Sequence, residues 1–360
     1  MRKRTSSKWN LRFLAMTDAA RLRPVACYSR LLSPVNRRRF RRSLLDWFYS
    51  VKRDLPWRRT GDPYRIWLSE VMLQQTRVAA AEPYYRRFVE RFPTVQDLAA
   101  ADEQQVLVFW AGLGYYSRAR NLHKAAKEIA ARGIFPSRYD DIRGLPGVGD
   151  YTAAAIASIA FGLPHASVDG NVLRVLSRVS CEAGDIGANA TRRTLGLLAQ
   201  ELLDRAQPGD FNQAVMELGA TVCLPKEPKC ALCPIAKWCE ARRQGRQREF
   251  PVKLGRKTHL EIHETLLIIE RRDSILLWQR PPESSRMAGF FELPEVGQLP
   301  QAKVGRELGV VRHTITFHNY TFRVCKASIR IVPDGYRWAH KLELSGKPVS
   351  TVLRKALRLA

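Results

Sequence analysis

The sequence is poor in acidic side chains and has no long apolar run. Its 360 residues include 60 Lys and Arg but only 34 Asp and Glu, which gives a formal net charge of +26. A charge this positive attracts polyanions, so it disfavours an ordinary metabolic enzyme and makes nucleic acid the first partner to expect. The longest apolar runs, at 152–161 and 265–270, are far shorter than the roughly 20 residues that cross a bilayer. We therefore predict a soluble protein, with an anionic membrane surface as the weaker alternative partner.

The N-terminal segment also lacks acids and any apolar core of the length that a secretory signal requires. Its first 42 residues hold thirteen Lys and Arg against one acid, Asp18. We predict a basic extension at 1–36. It is either a disordered arm that touches DNA, or the product of a start codon placed too far upstream, in which case residues 1–33 have no role.

The hydrophobic pattern changes once along the chain. From 37 to 240, apolar residues recur at three- and four-residue steps, which indicates helices with short connections. Residues 241–262 are basic and poor in large apolar side chains, so we predict a linker. From 263 to 360, β-branched runs alternate with turn residues. The sequence thus predicts a mainly α domain followed by an α+β domain.

Four cysteines lie close together, at Cys223, Cys230, Cys233 and Cys239. Thiolates separated by six, two and five residues can converge on one metal ion or one cubane cluster. Disulfides are the weaker interpretation, because nothing marks the chain as secreted. The spacing alone leaves zinc and iron-sulfur ligation open.

The segment 144–162 contains a tight turn that leads directly into a strongly helical run. Gly147 and Gly149 permit a close-packed or left-handed backbone there. The unpaired amides of such a turn suit an anion, for example a DNA phosphate. A plain turn between two helices is the alternative.

Two carboxylates are candidates for catalysis. Glu70 lies among apolar residues, so burial should raise its pKa and keep it protonated, as a general acid requires; a glutamate on a polar helix face is the alternative. Asp169 and Asn171 occupy the turn VDGNV, 18 residues after Tyr151, where an Asx turn is the plain alternative. The side chains after Glu70 could replace the hydrogen bonds of a base removed from a duplex: Gln74, Gln75 and Thr76.

Six motifs occur in order between 37 and 250: LSEVMLQQT, GLGYYSRARNLHKAA, LPGVGDYTAAAIASIAFG, VDGNV, FNQAVMELGATVC and the four cysteines. In this order they resemble MutY-type adenine DNA glycosylases of the helix-hairpin-helix superfamily. The resemblance implies a six-helix domain at about 61–166. It also implies an iron-sulfur domain built from 37–60 and 167–240, in which the cysteines hold one structural 4Fe-4S cluster.

The resemblance implies a reaction as well: hydrolysis of the N-glycosidic bond of adenine mispaired with 8-oxoguanine or guanine, in base excision repair. Glu70 would protonate the base, and Asp169 would stabilise or trap the sugar cation, as paired carboxylates do in glycosidases. Tyr151 and Asn171 match positions that orient Asp169 and the sugar. Endonuclease III has a lysine where this chain has Tyr151, so we expect no Schiff base and no β-lyase activity.

Further positions match residues that the family uses on double-stranded DNA. Arg58 and Gln213 match the adenine pocket, whereas Gln75 and Tyr115 match residues that wedge the opened duplex. The expected DNA contacts are Arg58, Gln74, Gln75, Thr76, Leu113, Tyr115, Leu145, Gly147, Gly149, Gln213, Phe317 and His318. A protein of this kind is expected to act as a monomer in the bacterial cytoplasm, associated with the nucleoid and with no membrane partner.

Residues 263–360 resemble the Nudix-like domain that reads 8-oxoguanine in these proteins. The segment 289–295 keeps the start of a Nudix loop, but 305–310 lacks the paired glutamates that bind magnesium. We therefore expect no nucleotide hydrolysis.

The lesion-reading loop departs from the family pattern. Alignment on His313 places Ile315, Thr316 and Phe317 at the reading positions, whereas a shifted loop places Phe317 and His318 there. A strand residue packed in the core is the alternative for Phe317.

Two other functions compete with adenine release. One is a thymine or uracil mismatch glycosylase or an endonuclease-like lyase. The other is a DNA-binding iron-sulfur scaffold without activity, which would keep its function after loss of Glu70 and Asp169.

Overall fold

The computed structural model describes residues 33–255, 258–281, 283–284 and 287–360. The described part contains thirteen α-helices: α1 (Pro34–Val51), α2 (Pro63–Leu73), α3 (Val78–Arg91), α4 (Val95–Ala100), α5 (Glu103–Trp110), α6 (Ser117–Arg132), α7 (Tyr139–Arg143), α8 (Asp150–Phe161), α9 (Gly170–Ser180), α10 (Asn189–Leu202), α11 (Pro208–Thr221), α12 (Glu240–Arg243) and α13 (Thr351–Ala356). Most of the predicted N-terminal extension, 1–32, lies outside the described residues. Its last residues, 34–36, already belong to α1, whose first turn is capped by the Ser33 hydroxyl.

Six β-strands follow the first twelve helices: β1 (Leu260–Arg271), β2 (Ser274–Gln279), β3 (Phe291–Glu292), β4 (Lys303–Ile315), β5 (His318–Ser328) and β6 (Tyr336–His340). They form one sheet in the order β3-β2-β1-β5-β4, and β6 also pairs with β2. The central pair, β1 and β5, is parallel, whereas β4 and β5 form an antiparallel hairpin.

One compact unit consists of the described residues up to Lys52 together with Val168–Leu254. It contains α1, α9, α10, α11 and α12, and its helix α1 buries Phe40, Leu44 and Phe48. Helix α11 packs against both α1 and α9.

The first half of the predicted linker is part of this unit. Phe250 is buried, and the amide of Ile186 donates to the carbonyl of Val252. The prediction of a linker is therefore wrong for this stretch, because one large aromatic side chain and its backbone carbonyls fix an otherwise basic segment.

The other compact unit consists of Arg53–Ser167 together with Gly255–Ala360. Its helices α2 to α8 enclose an aromatic core that includes the fully buried Trp67 and Trp110. Helix α2 begins with an Asp62 cap and a proline at its first turn, a favourable start, and it packs against the alanine-rich α8.

The sheet of this unit is confirmed as an α+β arrangement, with α13 packed against β4. Strand β1 begins at Leu260, inside the predicted linker, because its first residues pair with β5 from His318 onward. Pairing across the parallel ladder thus orders residues whose own composition does not indicate a strand.

One residue of the C-terminal region completes the helical core of the same unit. Phe290 has no exposed surface and packs with Tyr116, the two ring centroids being 4.1 Å apart. The Arg120 guanidinium also donates to the carbonyl of Ala288. The stretch before β3 therefore belongs structurally to the helices.

Candidate active site

Glu70 lies in the last turn of α2 and is only 6% exposed, so it is not on a polar helix face. The phenol of Tyr151, at the start of α8, donates a hydrogen bond of 2.7 Å to Glu70 Oε2. Since α2 packs directly against α8, this bond fixes the carboxyl group at one orientation. A carboxyl held in this way is suited to proton transfer at a defined position.

The three polar residues after Glu70 have different surroundings. The Gln74 amide donates to the Thr152 hydroxyl at 3.1 Å and so serves the contact between helices. The Thr76 hydroxyl approaches the carbonyl of Gln74 at 3.4 Å. Gln75 is exposed and has a left-handed backbone, with φ of 57°. Of the three, Gln75 is the one placed to contact a ligand.

Tyr115, the other predicted wedge residue, has the same unusual features. Its side chain is 42% exposed and its φ is 50°. The neighbouring Leu113, by contrast, is buried in the helical core. Its side chain anchors the turn from inside, so the predicted contact of Leu113 with DNA could come only from its backbone.

The hairpin between α7 and α8 has the predicted tight turn. Gly147 has φ of 75°, and a Cβ atom there would lie 2.6 Å from Asn121 Cβ, so glycine is required. Gly149 is exposed at the start of α8, whose first amides have no side-chain cap. Leu145 is buried, so its side chain holds the turn against the core, and its predicted contact with DNA could come only from its backbone.

Asp169 caps the N-terminus of α9 and is half-buried. Its Oδ1 accepts from the backbone amide of Val172 at 2.7 Å, and its Oδ2 accepts from the side-chain amide of Asn171 at 3.0 Å. Burial raises the pKa of Asp169, and these two hydrogen bonds act in the opposite direction. Asp169 is thus a helix N-cap, and its carboxylate is oriented at the positive end of α9.

Asn171 is held in turn by Arg174 of the same helix. The Arg174 guanidinium donates to Asn171 Oδ1 at 2.9 Å, to the carbonyl of Gly219 at 2.8 Å and to the carbonyl of Cys223 at 2.9 Å. A Cβ atom on Gly219 would lie 2.6 Å from Asn171 Cβ. The absence of a side chain at Gly219 is therefore what lets α11 approach the start of α9.

The four cysteines are half-buried free thiols in the segment after α11. The fully buried Arg178 donates to the sulfur of Cys223 at 3.2 Å and to the carbonyls of Leu224 and Pro225 at 2.7 Å each. The carbonyl of Arg178 itself lies 3.5 Å from Cys239 Sγ. One arginine therefore shapes both ends of the cysteine segment.

Four thiols in one segment are a donor set that fits thiolate ligation. No group of three or more His, Cys, Asp or Glu side chains among the described residues is close enough to hold a single metal ion. A four-iron cluster is larger than one ion and its ligands stand further apart.

The two predicted adenine-pocket residues lie on different helical segments. Arg58 ends the turn Pro56–Arg58, and its guanidinium donates to the carbonyl of Arg53 at 3.1 Å. Gln213 is half-buried on α11.

Comparison with known proteins shows the family of this chain. A family model described as the HhH-GPD superfamily base excision DNA repair protein matches residues 68–200. The adenine DNA glycosylase of Homo sapiens is 37% identical over 89% of this chain and 73% of its own length, and that of Mus musculus is 35% identical over 89% and 77%. The chain belongs to the adenine DNA glycosylase family. It is therefore a DNA glycosylase of base excision repair, whose substrate is DNA.

A solved structure supports the helical fold of this glycosylase. A thermostable thymine-DNA glycosylase is 29% identical, covers 58% of this chain and 97% of its own, and superposes with a TM-score of 0.51. Along the described part of the glycosylase, no helix combines the length and apolarity needed to cross a membrane.

The C-terminal turn of the glycosylase exposes one of the predicted lesion contacts. Thr316 and Phe317 connect β4 to β5, and Phe317 is 42% exposed beside the ring of His259. The alternative that Phe317 packs in the core is therefore wrong. His318 starts β5, with its ring 6.2 Å from that of Tyr320.

The residues of the predicted Nudix-like loop are engaged in structural contacts. Glu292 of β3 is paired with Arg280, and burial raises its pKa. Residues 305–310 lie within strand β4 rather than in a helix.

Three arginines of the glycosylase were not found from the sequence: Arg118, Arg174 and Arg178. The sequence does mark Arg174 and Arg178 as unusual, since the two charged residues are four positions apart on α9, which is otherwise rich in buried apolar residues. Arg118 has no such mark, because its partners are mainly backbone carbonyls, which every residue carries.

Proposed function

We propose that this glycosylase hydrolyses the N-glycosidic bond of adenine that faces 8-oxoguanine or guanine in duplex DNA. The observation that carries the proposal is the buried Glu70 carboxyl, held by the phenol of Tyr151 at 2.7 Å. This pairing supports an acid-assisted departure of the base. The family membership supports adenine as that base.

Glu70 acts first, as the general acid. The target nucleotide leaves the base stack, because its glycosidic bond is out of reach inside the duplex. The Glu70 carboxyl then gives its proton to a ring nitrogen of adenine, so that the base departs as a neutral molecule. Tyr151 keeps the carboxyl group oriented during this transfer.

Asp169 acts on the sugar. As the C–N bond breaks, its electron pair leaves with adenine and the sugar carbon becomes cationic. The negative carboxylate of Asp169 stabilises this cation, electrostatically or as a covalent adduct. A water oxygen then bonds to the sugar carbon, displacing Asp169 if an adduct has formed, and its proton passes to the Glu70 carboxylate, which leaves free adenine, an abasic site and the restored acid.

The strand itself stays intact. Cleavage by β-elimination requires an amine that forms a Schiff base with the opened sugar. Helix α8 (Asp150–Phe161) contains no lysine, and Tyr151 matches the position at which endonuclease III has its lysine, which supports the absence of lyase activity. We therefore infer a monofunctional enzyme.

We further propose that Cys223, Cys230, Cys233 and Cys239 hold one 4Fe-4S cluster. The four half-buried thiols and the support of their segment by Arg178 favour this assignment. Four protein thiolates leave no position on the cluster for a substrate, so its role is structural.

We propose that the C-terminal region recognises 8-oxoguanine in the opposite strand. Support comes from the exposed aromatic turn at Phe317 and His318. The pairing of Glu292 with Arg280 and the strand at 305–310 support a Nudix-like domain without nucleotide hydrolysis.

A single-turnover assay tests the activity. A labelled duplex with one A:8-oxoguanine pair is incubated with excess enzyme and split into samples with and without hot alkali. The expected result is free adenine, with strand breaks only after alkali. Breaks without alkali would indicate a lyase, and release from T:G or U:G duplexes alone would indicate a pyrimidine glycosylase.

Two variants test the residue assignment. Glu70→Gln and Asp169→Asn should bind the duplex normally but release no adenine, whereas the exposed Glu90→Gln should behave as the wild type. Near-normal release by either of the first two would contradict the site. If the wild-type protein binds the duplex but never releases a base, the result would support a DNA-binding iron-sulfur scaffold without activity.

A further inference from the structure

Arg118 is the most heavily bonded side chain near the exposed wedge residues. It lies in the first turn of α6, and its Nη1 donates to the carbonyls of Val71, Met72 and Gln74 at 2.7, 3.1 and 2.6 Å. Its Nη2 donates to the carbonyl of Gly114 at 3.2 Å. One guanidinium therefore joins the end of α2 to the turn before α6.

The bonds to α2 satisfy carbonyls that the helix itself leaves open. Helix α2 ends at Leu73, so its last carbonyls have no amide one turn further along the chain. A cation at this end also suits the helix dipole. Glu70 lies in the same last turn, but its carboxyl group has a separate support in the Tyr151 phenol at 2.7 Å.

The two segments joined by Arg118 each contain an exposed residue in an unfavourable backbone conformation. Gln75 has φ of 57° and directly follows Gln74, whose carbonyl Arg118 binds. Tyr115 has φ of 50°, directly follows Gly114, and has its ring 5.3 Å from the guanidinium carbon of Arg118. Side chains other than glycine adopt this conformation only where neighbouring groups hold them in it.

We propose that Arg118 is a positioning residue that sets Gln75 and Tyr115 at a fixed separation, so that together they open the duplex beside the target base. This inference rests on the proposed function. Arg118 acts through the two turns, since the partners of its guanidinium are their carbonyls and the Thr76 hydroxyl. Its loss releases both turns, and opening of the duplex becomes slow while the chemistry at an opened base is kept.

Arginine is required because of the shape of its guanidinium. The planar fork directs several donors at separate carbonyls while its face covers the Tyr115 ring. Lysine has the charge but lacks both the fork and the flat surface. Arg118→Lys should therefore recover little of the lost rate.

The test compares two duplexes with the same A:8-oxoguanine pair. In the first, the neighbouring pairs are complementary; in the second, both neighbouring pairs are mismatched, so that the adenine is already loosely stacked. We expect Arg118→Gln to slow single-turnover release about tenfold or more on the first duplex, since small misplacements have effects of this size. On the second duplex, we expect the variant to approach the wild-type rate.

Lys124→Gln is the matched control, because it removes one exposed positive charge from the same helix. It should follow the wild type on both duplexes. A defect of Arg118→Gln that is equal on both duplexes, or no defect at all, would overturn the proposal. If the wild type itself releases no adenine, the proposed function fails first, and the two failures are distinguishable.

A double-mutant comparison keeps the inference testable if Arg118→Gln folds poorly. Gln75→Ala, Arg118→Lys and the double variant are measured on the fully paired duplex. Residues that act through one another give effects smaller in combination than their product. Independent effects that multiply would contradict a role of Arg118 through Gln75.

Discussion

The phenol of Tyr151 donates a hydrogen bond of 2.7 Å to the carboxyl group of Glu70. This bond joins the start of α8 to the end of α2, two helices that pack against each other. Helix α8 supplies the donor in its first turn, and α2 supplies the acceptor in its last turn. Because both helices are held by the aromatic core, neither side chain has to be ordered by the substrate.

Tyr151→Phe should lower the rate of base release while leaving duplex affinity unchanged. The ring still fills its space, but Glu70 loses a hydrogen bond of a kind worth about 1.5–3 kcal/mol when one partner is charged, or about tenfold to a hundredfold in rate. Single-turnover rates and gel-shift affinities check this. Tyr85→Phe, in the same helical core, is the control and should keep the full rate; a full rate for Tyr151→Phe would contradict the role of the bond.

Asn171→Ala should move the acid limb of the pH–rate profile to higher pH. Burial raises the pKa of Asp169, and the Asn171 hydrogen bond partly offsets that effect. Its loss raises the pKa further. The ionised carboxylate is present above the folded-state pKa and is lost as pH falls through it, so activity is lost at a higher pH in the variant.

The measurement for Asn171→Ala is a pH series of single-turnover rates. Asn189→Ala, at an exposed position of α10, is the control and should leave the profile unchanged. A limb that stays in place, or moves to lower pH, would show that Asn171 does not support the ionised form of Asp169.

Gly219→Ala should destabilise the protein and slow base release together. Its Cβ atom would lie 2.6 Å from Asn171 Cβ, so α9 or α11 has to move, and overpacking of this kind costs about 1–3 kcal/mol. Thermal melting and single-turnover rates measure the two effects. Gly196→Ala on α10 meets no atom within 4 Å and should be neutral or stabilising, by up to about 1 kcal/mol; equal behaviour of the two variants would contradict the close helix approach.

Phe290→Ala and Phe317→Ala should affect different properties, although both residues lie in the C-terminal region: the first should lower stability and the second should change the preference for the opposing base. Phe290 has no exposed surface, so its truncation should cost about 3–5 kcal/mol of folding free energy. Phe317 is 42% exposed, so its truncation should change stability by less than about 0.5 kcal/mol. Instead it should reduce the preference for 8-oxoguanine over guanine. Denaturant unfolding and competition between the two duplexes distinguish these outcomes.

The sequence predicted residues whose role is visible in their own neighbourhood. Glu70 is buried because apolar side chains surround it along the chain, and Gly147 is required because a turn crosses Asn121 closely. The change of pattern near 260 correctly separated helices from the sheet. In each case, a short segment carries the physical cause.

The sequence could not predict roles that depend on backbone atoms far along the chain. Arg118 binds mainly carbonyls, which no residue type reveals, and the spacing of Arg174 and Arg178 on α9 does not tell which carbonyls they bind. Leu113 and Leu145 match DNA-contact motifs but are buried, since a motif does not tell which face of a turn meets the core. The stretch 241–254 looks like a linker and yet holds the buried Phe250.

Phe290 has a practical consequence for work on shortened forms of this glycosylase. A fragment that stops at Leu254 keeps every helix of the catalytic region but leaves an empty space beside Tyr116, where the Phe290 ring belongs. Such a fragment should lose stability, and it also lacks the exposed turn at Phe317 that we propose reads the lesion. Slow repair by the fragment therefore reports damage to its interior together with the missing contacts, and full-length protein with a substituted turn isolates the second effect.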